Sequence, residues 1–317
     1  MKNIYLNIFN NNKKNIKKAR GILKKNCVIA VPTETVYGLA GNAYSNSAIN
    51  KIYKIKGRPK KNPLIIHYYN LKQLKKDVFI NKNFLKLYNK FSPGPLTYVL
   101  KKRKKSRISS LATSNLKTVA VRFPSHKVIR SILKELKFPL AIPSANISTG
   151  VSPVTAHDVV DEFGNKVKFV LNGRKSKIGL ESTVIKLDED VRILRPGVIS
   201  KNQISKFLGI KIKFLKKSSQ LLSPGMLKKH YSPGIPIKLN CKKNDNKAAF
   251  IVFGKKYKSN KDNFNLSVKG SLKEAGKNLY GTLRKIKKLK YKKINVVKIT
   301  NKGIGSVIND RLKRASN

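Results

Sequence analysis

Apolar residues recur along the chain at two spacings, one typical of helices and one typical of strands. Residues 118–123, TVAVRF, alternate strictly: Val119, Val121 and Phe123 take one face of a strand, and Arg122 takes the other. In the first part of the chain these spacings predict helices at 13–24, 47–56, 71–78, 82–91, 127–136, 155–163 and 200–209, and strands at 27–31, 63–67, 96–100, 118–123, 139–143 and 167–173, with a hairpin at 182–197. The mixture of crossovers and hairpins indicates an α/β domain around a mixed sheet.

The pattern changes near residue 213. Residues 216–236 carry Ser, Gly and Pro with little periodicity and are typical of a linker. Regular spacing then resumes, with strands predicted at 248–253 and 294–299 and helices at 272–286 and 306–313. We therefore predict a large domain at 1–212, a linker at 213–240 and a smaller α/β domain at 241–317.

Charge adds an unusual feature. The 317 residues include 71 Lys and Arg against 14 Asp and Glu, a formal net charge of +57. A field of this size attracts nucleic-acid backbones. Compositional drift, as in proteins encoded by AT-rich genomes, is the alternative, and the even spread of lysine along the chain favours it. In either case we expect non-specific RNA binding at low salt.

Several classes of function are disfavoured by what the sequence lacks. Cys27 and Cys241 have no CxxC partner, which argues against a disulfide framework or a zinc site and fits a reducing cytoplasm. No segment approaches the roughly 20 apolar residues of a membrane span. The scarcity of carboxylates argues against two-metal and glycosidase chemistry. A Walker A loop, a GxGxxG fingerprint, a GxSxG elbow and an HExxH motif are missing from the sequence.

Polar residues cluster where predicted strands end. In residues 30–43, AVPTETVYGLAGNA, the first strand stops at Pro32 and is followed by Thr-Glu-Thr, which is not a usual turn sequence. Either these hydroxyls hold a small polar molecule or they form a plain strand-to-helix connection. In residues 141–148, AIPSANIS, a second strand stops at a proline and presents Ser144 and Asn146. Since ligands of open α/β sheets bind off strand ends, the two clusters are predicted to share a cleft.

A basic bend lies between them in the sequence. In residues 56–67, KGRPKKNPLIIH, a helix stops at Gly57, and Pro59 forces Arg58 out of helical geometry. Four basic residues are therefore predicted to converge around the bend, which suits a polyphosphate or a carboxylate. The following strand delivers His67, which is either a ligand-binding residue or a core histidine. These four residues are Lys56, Arg58, Lys60 and Lys61.

Eight motifs resemble one family in order and spacing. They are PTETVYGLAG, KGRPKKNPL, SPGPLT, VAVRFP, PSAN, SPVTA, GLESTV and ILRPG. Together they are similar to the YrdC/Sua5 family, the L-threonylcarbamoyladenylate synthases that begin tRNA t6A biosynthesis. SPGMLKKHYSPG and GIGSVINDRLKRAS resemble the linker and C-terminal end of the longer Sua5 type. The resemblance implies a YrdC-like twisted mixed sheet followed by a Rossmann-like C-terminal Sua5 domain.

The resemblance also implies a reaction and a site. L-threonine, bicarbonate or CO₂, and ATP would give threonylcarbamoyl-AMP and pyrophosphate, for t6A37 in tRNAs that read ANN codons. Mg²⁺ would be held through the ATP phosphates rather than by side chains. The downstream partner would be the threonylcarbamoyl transferase machinery. The basic charge would also suit contact with tRNA or double-stranded RNA. By the same resemblance the catalytic residues are Lys56 and Arg58. The residues that bind L-threonine are Thr35, His67, Arg122 and Ser182, with Arg122 as the clamp for the carboxylate. The residues that bind ATP are Arg58, Asn62, Thr118, Ser144, Asn146, Ser152, Arg195 and Tyr231, and Tyr231 would close over the nucleotide from the linker.

Two other classes of function stay open at this stage. A basic RNA-binding protein without catalysis would not need hydroxyls at strand ends, and it would more often show aromatic stacking platforms. Carbamoyl transfer in hydrogenase maturation uses a similar domain, but that family carries zinc-finger cysteines. The motif residues therefore favour the synthase.

Overall fold

The structure is a computed structural model that describes residues 5–188, 190–215, 221–225, 230–245, 247–257 and 260–317. Within these residues the helices are α1 (Lys13–Lys24), α2 (Asn46–Lys56), α3 (Leu71–Leu74), α4 (Lys82–Phe91), α5 (Lys127–Lys134), α6 (Ala156–Phe163), α7 (Lys201–Leu208), α8 (Leu272–Lys288) and α9 (Ile304–Ala315). The strands are β1 (Ile8–Asn10), β2 (Ile29–Val31), β3 (Gly38–Asn42), β4 (Ile65–His67), β5 (Leu96–Lys101), β6 (Thr118–Arg122), β7 (Leu140–Ala141), β8 (Val170–Asn172), β9 (Thr183–Lys186), β10 (Arg192–Arg195), β11 (Lys213–Phe214), β12 (Ile237–Lys238), β13 (Ala249–Val252), β14 (Asn263–Asn265) and β15 (Ile294–Val296). Residues 216–220 and 226–229 of the predicted linker lie outside the described residues.

One large sheet organises the N-terminal part of the chain. Its order is β1-β8-β2-β3-β7-β4-β6-β5-β9-β10-β11 among the described strands. β4 and β6 run parallel, whereas β5 and β6 run antiparallel and the β9–β10 pair forms the predicted hairpin. The predicted mixed α/β sheet is confirmed.

The alternation in β6 sorts its side chains between two sides of this sheet. Val119, Val121 and Phe123 are buried in one hydrophobic cluster. Ala120 is buried on the opposite side, in a cluster with Ile65. Arg122, two residues further along, therefore leaves the strand on the face of Ala120.

Local capping explains where the predicted helices begin and end. The Ser45 side chain accepts a hydrogen bond from the backbone N–H of Ala48 and starts α2. Gly57 ends α2 in the left-handed conformation, with φ 56°, as the sequence predicts. Ser200 and Gln203 form a capping box at the start of α7. The turn at Gly57 matters for function because it delivers Arg58.

Several elements differ from the prediction, and the short strands β1, β11, β12 and β14 were not predicted. The helix predicted at 71–78 spans only Leu71–Leu74, because the chain then turns and buries Asp77, whose carboxylate accepts hydrogen bonds from the hydroxyls of Tyr44, Tyr68 and Ser106. Strand β3 was not predicted. Two of its five residues are glycine and its first four residues are buried. The segment therefore lacks the alternation of apolar and polar residues by which a strand is predicted.

The C-terminal part forms a second α/β unit, as predicted. Its parallel sheet has the order β12-β15-β13-β14, with α8 and α9 packed on each other. β12 belongs to this sheet although it lies inside the predicted linker; the domain boundaries stay a prediction. One hydrophobic cluster joins the units, since it contains Leu180 of the first and Leu279 of the second. The described helices include none with the length and apolarity that a bilayer crossing requires.

Candidate active site

A cavity opens where several strands of the large sheet end. His67 ends β4 and Arg122 ends β6, and these two residues are paired directly across the parallel strands. Ser144 follows β7 and is paired with Gly38 through an isolated bridge. Both polar clusters therefore reach one cleft, as predicted. The lining residues are Thr35, Val36, Arg58, Ile65, His67, Arg122, Ile142, Pro143, Ser144, Glu181, Arg195, Pro224, Gly225, His230 and Tyr231.

The two threonines after β2 have different roles. Thr33 donates its hydroxyl proton to the carbonyl of Val36 at 2.6 Å and lies 2.9 Å from the Thr35 hydroxyl. Because Thr33 has only one proton, Thr35 donates to Thr33 and keeps its own lone pairs as acceptors. Thr33 thus provides the plain structural connection, and Thr35, fully buried at the cavity wall, provides the polar surface.

Arg122 is held by a carboxylate that sequence reasoning missed. Its Nη2 donates to Glu34 Oε1 at 2.7 Å, and its Nε donates to the carbonyl of Gly94 at 3.3 Å. Glu34 also accepts a hydrogen bond from the backbone N–H of Ser125. Burial opposes ionisation of Glu34, but the charge and hydrogen bond of Arg122 outweigh it and lower the pKa of the carboxyl. The pair fixes the guanidinium at the cavity.

Arg58 is also fixed before any ligand arrives. Its Nε donates to the carbonyl of Asn62 at 3.0 Å, and its Nη2 donates to the Asn62 side chain and to the carbonyl of Pro63. Burial lowers the pKa of Arg58 to about 10, so the guanidinium stays charged at neutral pH. A preorganised cation of this kind suits a phosphate.

The predicted convergence of four basic residues at this bend is wrong. Lys60 and Lys61 are exposed, because the turn after Pro59 directs them to solvent. Lys56 is buried, but its Nζ donates to the carbonyls of Ser144 and Asn146, behind the cavity wall. Burial, followed by the nearby charge of Arg58, lowers the pKa of Lys56 well below its usual range. Lys56 therefore ties α2 to the segment that carries Ser144.

His67 is not simply a core histidine, since it lines the cavity. Its Nδ1 lies 3.2 Å from the carbonyl oxygen of Ile65. A carbonyl only accepts, so Nδ1 carries the proton and Nε2 is left as an acceptor. Burial and the charge of Arg122 hold the pKa of His67 well below its usual range, which keeps the ring neutral.

A third arginine, Arg195, also lines the cavity. Arg195 donates through Nε and Nη2 to the carbonyl of Ser182, at 3.1 and 2.9 Å, and through Nη2 to the Ser182 hydroxyl at 3.0 Å. The same hydroxyl lies 2.8 Å from that of Thr97. Ser182 therefore supports Arg195 from behind the lining.

The C-terminal unit reaches this wall through Glu181. The Glu181 carboxylate accepts hydrogen bonds from the hydroxyl of Ser152 at 2.7 Å, the hydroxyl of Tyr280 at 2.7 Å and Nε of Arg311 at 3.0 Å. Burial alone would raise the pKa of Glu181. The charges of Arg311 and Arg195 and the hydrogen bonds from Tyr280 and Ser152 outweigh burial and lower the pKa to about 2. The sequence analysis named Ser152 only as an ATP-binding residue and did not single out Glu181, Tyr280 or Arg311.

The linker residue Tyr231 also lies at the cavity. Its ring stacks on Tyr280 with centroids 5.7 Å apart, and the Arg311 guanidinium lies 4.7 Å from its centroid. Its hydroxyl is buried with no hydrogen-bond partner among the described residues. Tyr231 thus packs at the domain junction and presents a polar group beside Arg195 at the same time.

Five of the other predicted site residues lie behind or beside the lining. Asn62 Nδ2 and Asn146 Oδ1 are buried and lack a hydrogen-bond partner within the described part of the chain. Thr118 begins β6, half-buried, and lies four residues before Arg122 on the same strand. Ser152 and Ser182 contact the lining residues Glu181 and Arg195.

Comparisons with known proteins agree with this architecture. Residues 21–197 match the Sua5/YciO/YrdC family model, described as "Telomere recombination", and residues 199–317 match the model "Threonylcarbamoyl-AMP synthase, C-terminal domain". The threonylcarbamoyl-AMP synthase of Pyrococcus abyssi is 35% identical over 95% of this chain and 94% of its own length. The chain belongs to the threonylcarbamoyl-AMP synthase family.

Other relatives support the same assignment for the synthase. The threonylcarbamoyl-AMP synthase of Bacillus subtilis is 38% identical over 70% of this chain and 65% of its own length. The crystal structure of P. abyssi Sua5 complexed with L-threonine superposes with a TM-score of 0.90 at 32% identity, covering 98% of this chain and 97% of that one. The activity expected from the sequence, formation of threonylcarbamoyl-AMP by a nucleotidyltransferase, is confirmed, as is the two-domain Sua5 fold.

Carboxylates are the side chains that would be expected to bind a metal ion in the synthase. The described residues contain no cluster of three or more His, Cys, Asp or Glu side chains that could hold a metal ion. Glu181 lines the cavity, but Ser152, Tyr280 and Arg311 already occupy its oxygens. Mg²⁺ binding through the ATP phosphates stays a prediction.

Proposed function

We propose that the cavity is where the synthase converts L-threonine, bicarbonate or CO₂, and ATP into threonylcarbamoyl-AMP and pyrophosphate. The observation that supports this most is the set of three buried, fixed arginines that line one cleft. Arg122 and neutral His67 lie at the paired ends of β4 and β6, and Arg58 and Arg195 line the rest. We assign Arg122 and His67 to the amino acid, and Arg58 and Arg195 to the triphosphate.

The threonine side has groups of the required polarity. Arg122 would clamp the substrate carboxylate. Thr35 and Nε2 of His67 would accept hydrogen bonds from the substrate amine or hydroxyl, with Ser182 supporting the site from behind. These acceptors would orient the amine. The ammonium proton would pass to bicarbonate, which gives CO₂ and water, and the freed nitrogen would then attack CO₂ to form the carbamate and release a second proton to solvent.

The nucleotide side would act by positioning and charge stabilisation. The carbamate oxygen attacks the α-phosphorus of ATP, the new O–P bond forms, and the bond to the pyrophosphate leaving group breaks. Arg58 and Arg195 would stabilise the charge that develops on the phosphates. Asn62, Thr118, Ser144, Asn146, Ser152 and Tyr231 would surround the nucleotide, Lys56 would hold the Ser144 segment in place, and Mg²⁺ would enter with the phosphates.

The direct test is incubation of the synthase with ATP, threonine and bicarbonate, followed by measurement of threonylcarbamoyl-AMP and pyrophosphate. We expect both products in equal amounts and only when all three substrates are present. Folded protein that releases pyrophosphate without the threonylcarbamoyl adenylate would contradict the proposal.

Substrate specificity gives a sharper prediction. Because Thr35 and its neighbours would hydrogen-bond the substrate hydroxyl, valine should be rejected by up to about 10⁴–10⁵ in kcat/KM, since it leaves buried polar groups unpaired. Serine keeps the hydroxyl and loses one methyl, so about 10–200-fold rejection is expected. The measurement is kcat/KM for each amino acid; equal values for valine and threonine would show that the hydroxyls serve another purpose.

The later steps are proposed from the product. Threonylcarbamoyl-AMP carries an activated threonylcarbamoyl group, which transferase machinery would move to A37 of tRNAs reading ANN codons. Direct contact of this chain with tRNA, and its location in the cytoplasm, stay predictions from charge and cysteine content.

A further inference from the structure

We propose that Tyr280 and Arg311, both in the C-terminal unit, are positioning residues for the nucleotide side of the cavity and act through Glu181. This inference rests on the proposed function, because it assigns them to the ATP side of that site. It gives the C-terminal unit a defined part in the reaction.

Glu181 is the residue of the large domain that accepts hydrogen bonds from the C-terminal unit at the cavity. It belongs to the large domain, lines the cavity and is 5% exposed. Its Oε2 accepts from Tyr280 and from Arg311, which lie 99 and 130 residues further along the chain. Tyr280 and Arg311 are themselves fully buried. Two fixed donors on Oε2 fix the orientation of this buried carboxylate. The other oxygen, Oε1, then accepts the hydrogen bond from Ser152.

Arg311 connects two segments of the cavity wall. Besides Glu181, it donates through Nη2 to the carbonyl of Pro196 at 2.8 Å. Glu181 precedes Ser182, and Pro196 follows Arg195, so one guanidinium holds the chain on both sides of the Ser182–Arg195 contact. Only a forked cation can make both contacts, and a lysine ammonium cannot reproduce that geometry.

Helix α8 makes a further contact on the same wall. Arg284, one helical turn after Tyr280, donates through Nη2 to the carbonyl of Val151 at 2.6 Å and to Glu162 at 3.0 Å. Glu162 in turn accepts from the backbone N–H of Ile147. The segment 146–152, which carries two predicted ATP-binding residues, is therefore held at both ends by the same face of α8.

The side chains of Arg122 and Thr35 are held by contacts that do not include Glu181, and the Glu181 segment meets them through backbone bonds from Ile178 to Glu34 and from Gly179 to Thr35. Arg122 is held by Glu34 and Gly94, and Thr35 by Thr33, all within the large domain. Loss of the side-chain contacts of Glu181 should therefore weaken the use of ATP far more than the binding of threonine. A merely structural role would weaken both.

The mild test is Tyr280→Phe, because phenylalanine keeps the ring that stacks on Tyr231 and removes only the hydroxyl. We expect KM for ATP to rise about 10-fold, the usual scale for losing one hydrogen bond to a charged group. Threonine affinity, measured calorimetrically without ATP, should stay within about twofold. Tyr291→Phe is the matched control, since the Tyr291 hydroxyl bonds Asp262 inside the C-terminal unit; its KM for ATP should equal the wild-type value.

The stronger test is Arg311→Lys, which keeps the charge and loses the fork. We expect kcat/KM for ATP to fall about 100-fold, again without loss of threonine affinity. Should this variant not fold, Tyr280→Phe decides alone.

Two results would overturn the inference while leaving the proposed function intact: unchanged KM for ATP in folded Tyr280→Phe, or equal losses of ATP and threonine affinity. A direct measurement of ATP binding to the wild-type protein distinguishes failure of this inference from failure of the proposed function. Wild-type protein that binds threonine but not ATP would overturn the proposed function and this inference with it.

Discussion

Replacing Arg58 with alanine is expected to lower the rate of pyrophosphate release about 100- to 1,000-fold, the scale seen when one preorganised donor to a developing charge is removed. Hydrogen bonds to Asn62 and Pro63 hold the guanidinium at the cavity before ATP binds. Its pKa of about 10 keeps it charged in any neutral assay. The measurement is single-turnover pyrophosphate release at saturating threonine and bicarbonate.

A surface arginine provides the control for this experiment. Arg192 lies on strand β10, three residues before Arg195, and pairs with Asp190 at the exposed hairpin turn. Arg192→Ala should release pyrophosphate at the wild-type rate within about twofold, since exposed ion pairs contribute little. Near wild-type turnover in Arg58→Ala, with an unchanged melting temperature, would show that Arg58 does not contact the reacting phosphates.

Gly197→Ala is expected to reduce kcat/KM at least about 100-fold, because a displacement of about 1 Å at a catalytic site has effects of this size. A Cβ on Gly197 would lie 2.3 Å from the backbone nitrogen of Thr183 and 2.6 Å from the carbonyl carbon of Ser182. Backbone cannot rotate away as a side chain can, so the whole segment that carries Ser182 must shift. Overpacking of this kind should also cost about 1–3 kcal/mol of unfolding free energy.

Gly21→Ala is the matched control, since a Cβ at this position in α1 meets no atom within 4 Å. That variant should keep full activity and gain up to about 1 kcal/mol of stability from helix propensity. The measurements are kcat/KM and chemical denaturation of both variants. Full activity in Gly197→Ala would show that the hairpin end and the Ser182 segment move independently.

The sequence predicts best what depends on neighbouring residues. The stop of α2 at Gly57, the cap at Ser200 and the alternation in β6 are local, and each lies where it was predicted. The two polar clusters at strand ends were also correctly placed in one cleft, because strands of a sheet share their edges.

What the sequence could not predict depends on distant contacts. The partner of Arg122 lies 88 residues away at Glu34, and the partner of Glu181 lies 130 residues away at Arg311. Side-chain direction at the basic bend was also hidden, so Lys60 and Lys61 could not be told from Arg58 by composition. One usable signal was present: in a chain with 14 acidic residues, a glutamate inside an apolar motif is rare enough to suggest a buried partner.

The placement of the acidic residues also governs how the protein behaves in solution. Glu34, Asp77 and Glu181 are buried, so they neutralise little of the surface, where lysine greatly outnumbers acid. Repulsion between exposed lysines acts over the Debye length, about 8–10 Å at physiological ionic strength, whereas the buried pairs are scarcely screened. Added salt therefore removes a destabilising term without weakening the Glu34–Arg122 and Glu181–Arg311 pairs, and the folded enzyme should tolerate concentrated salt better than dilute buffer.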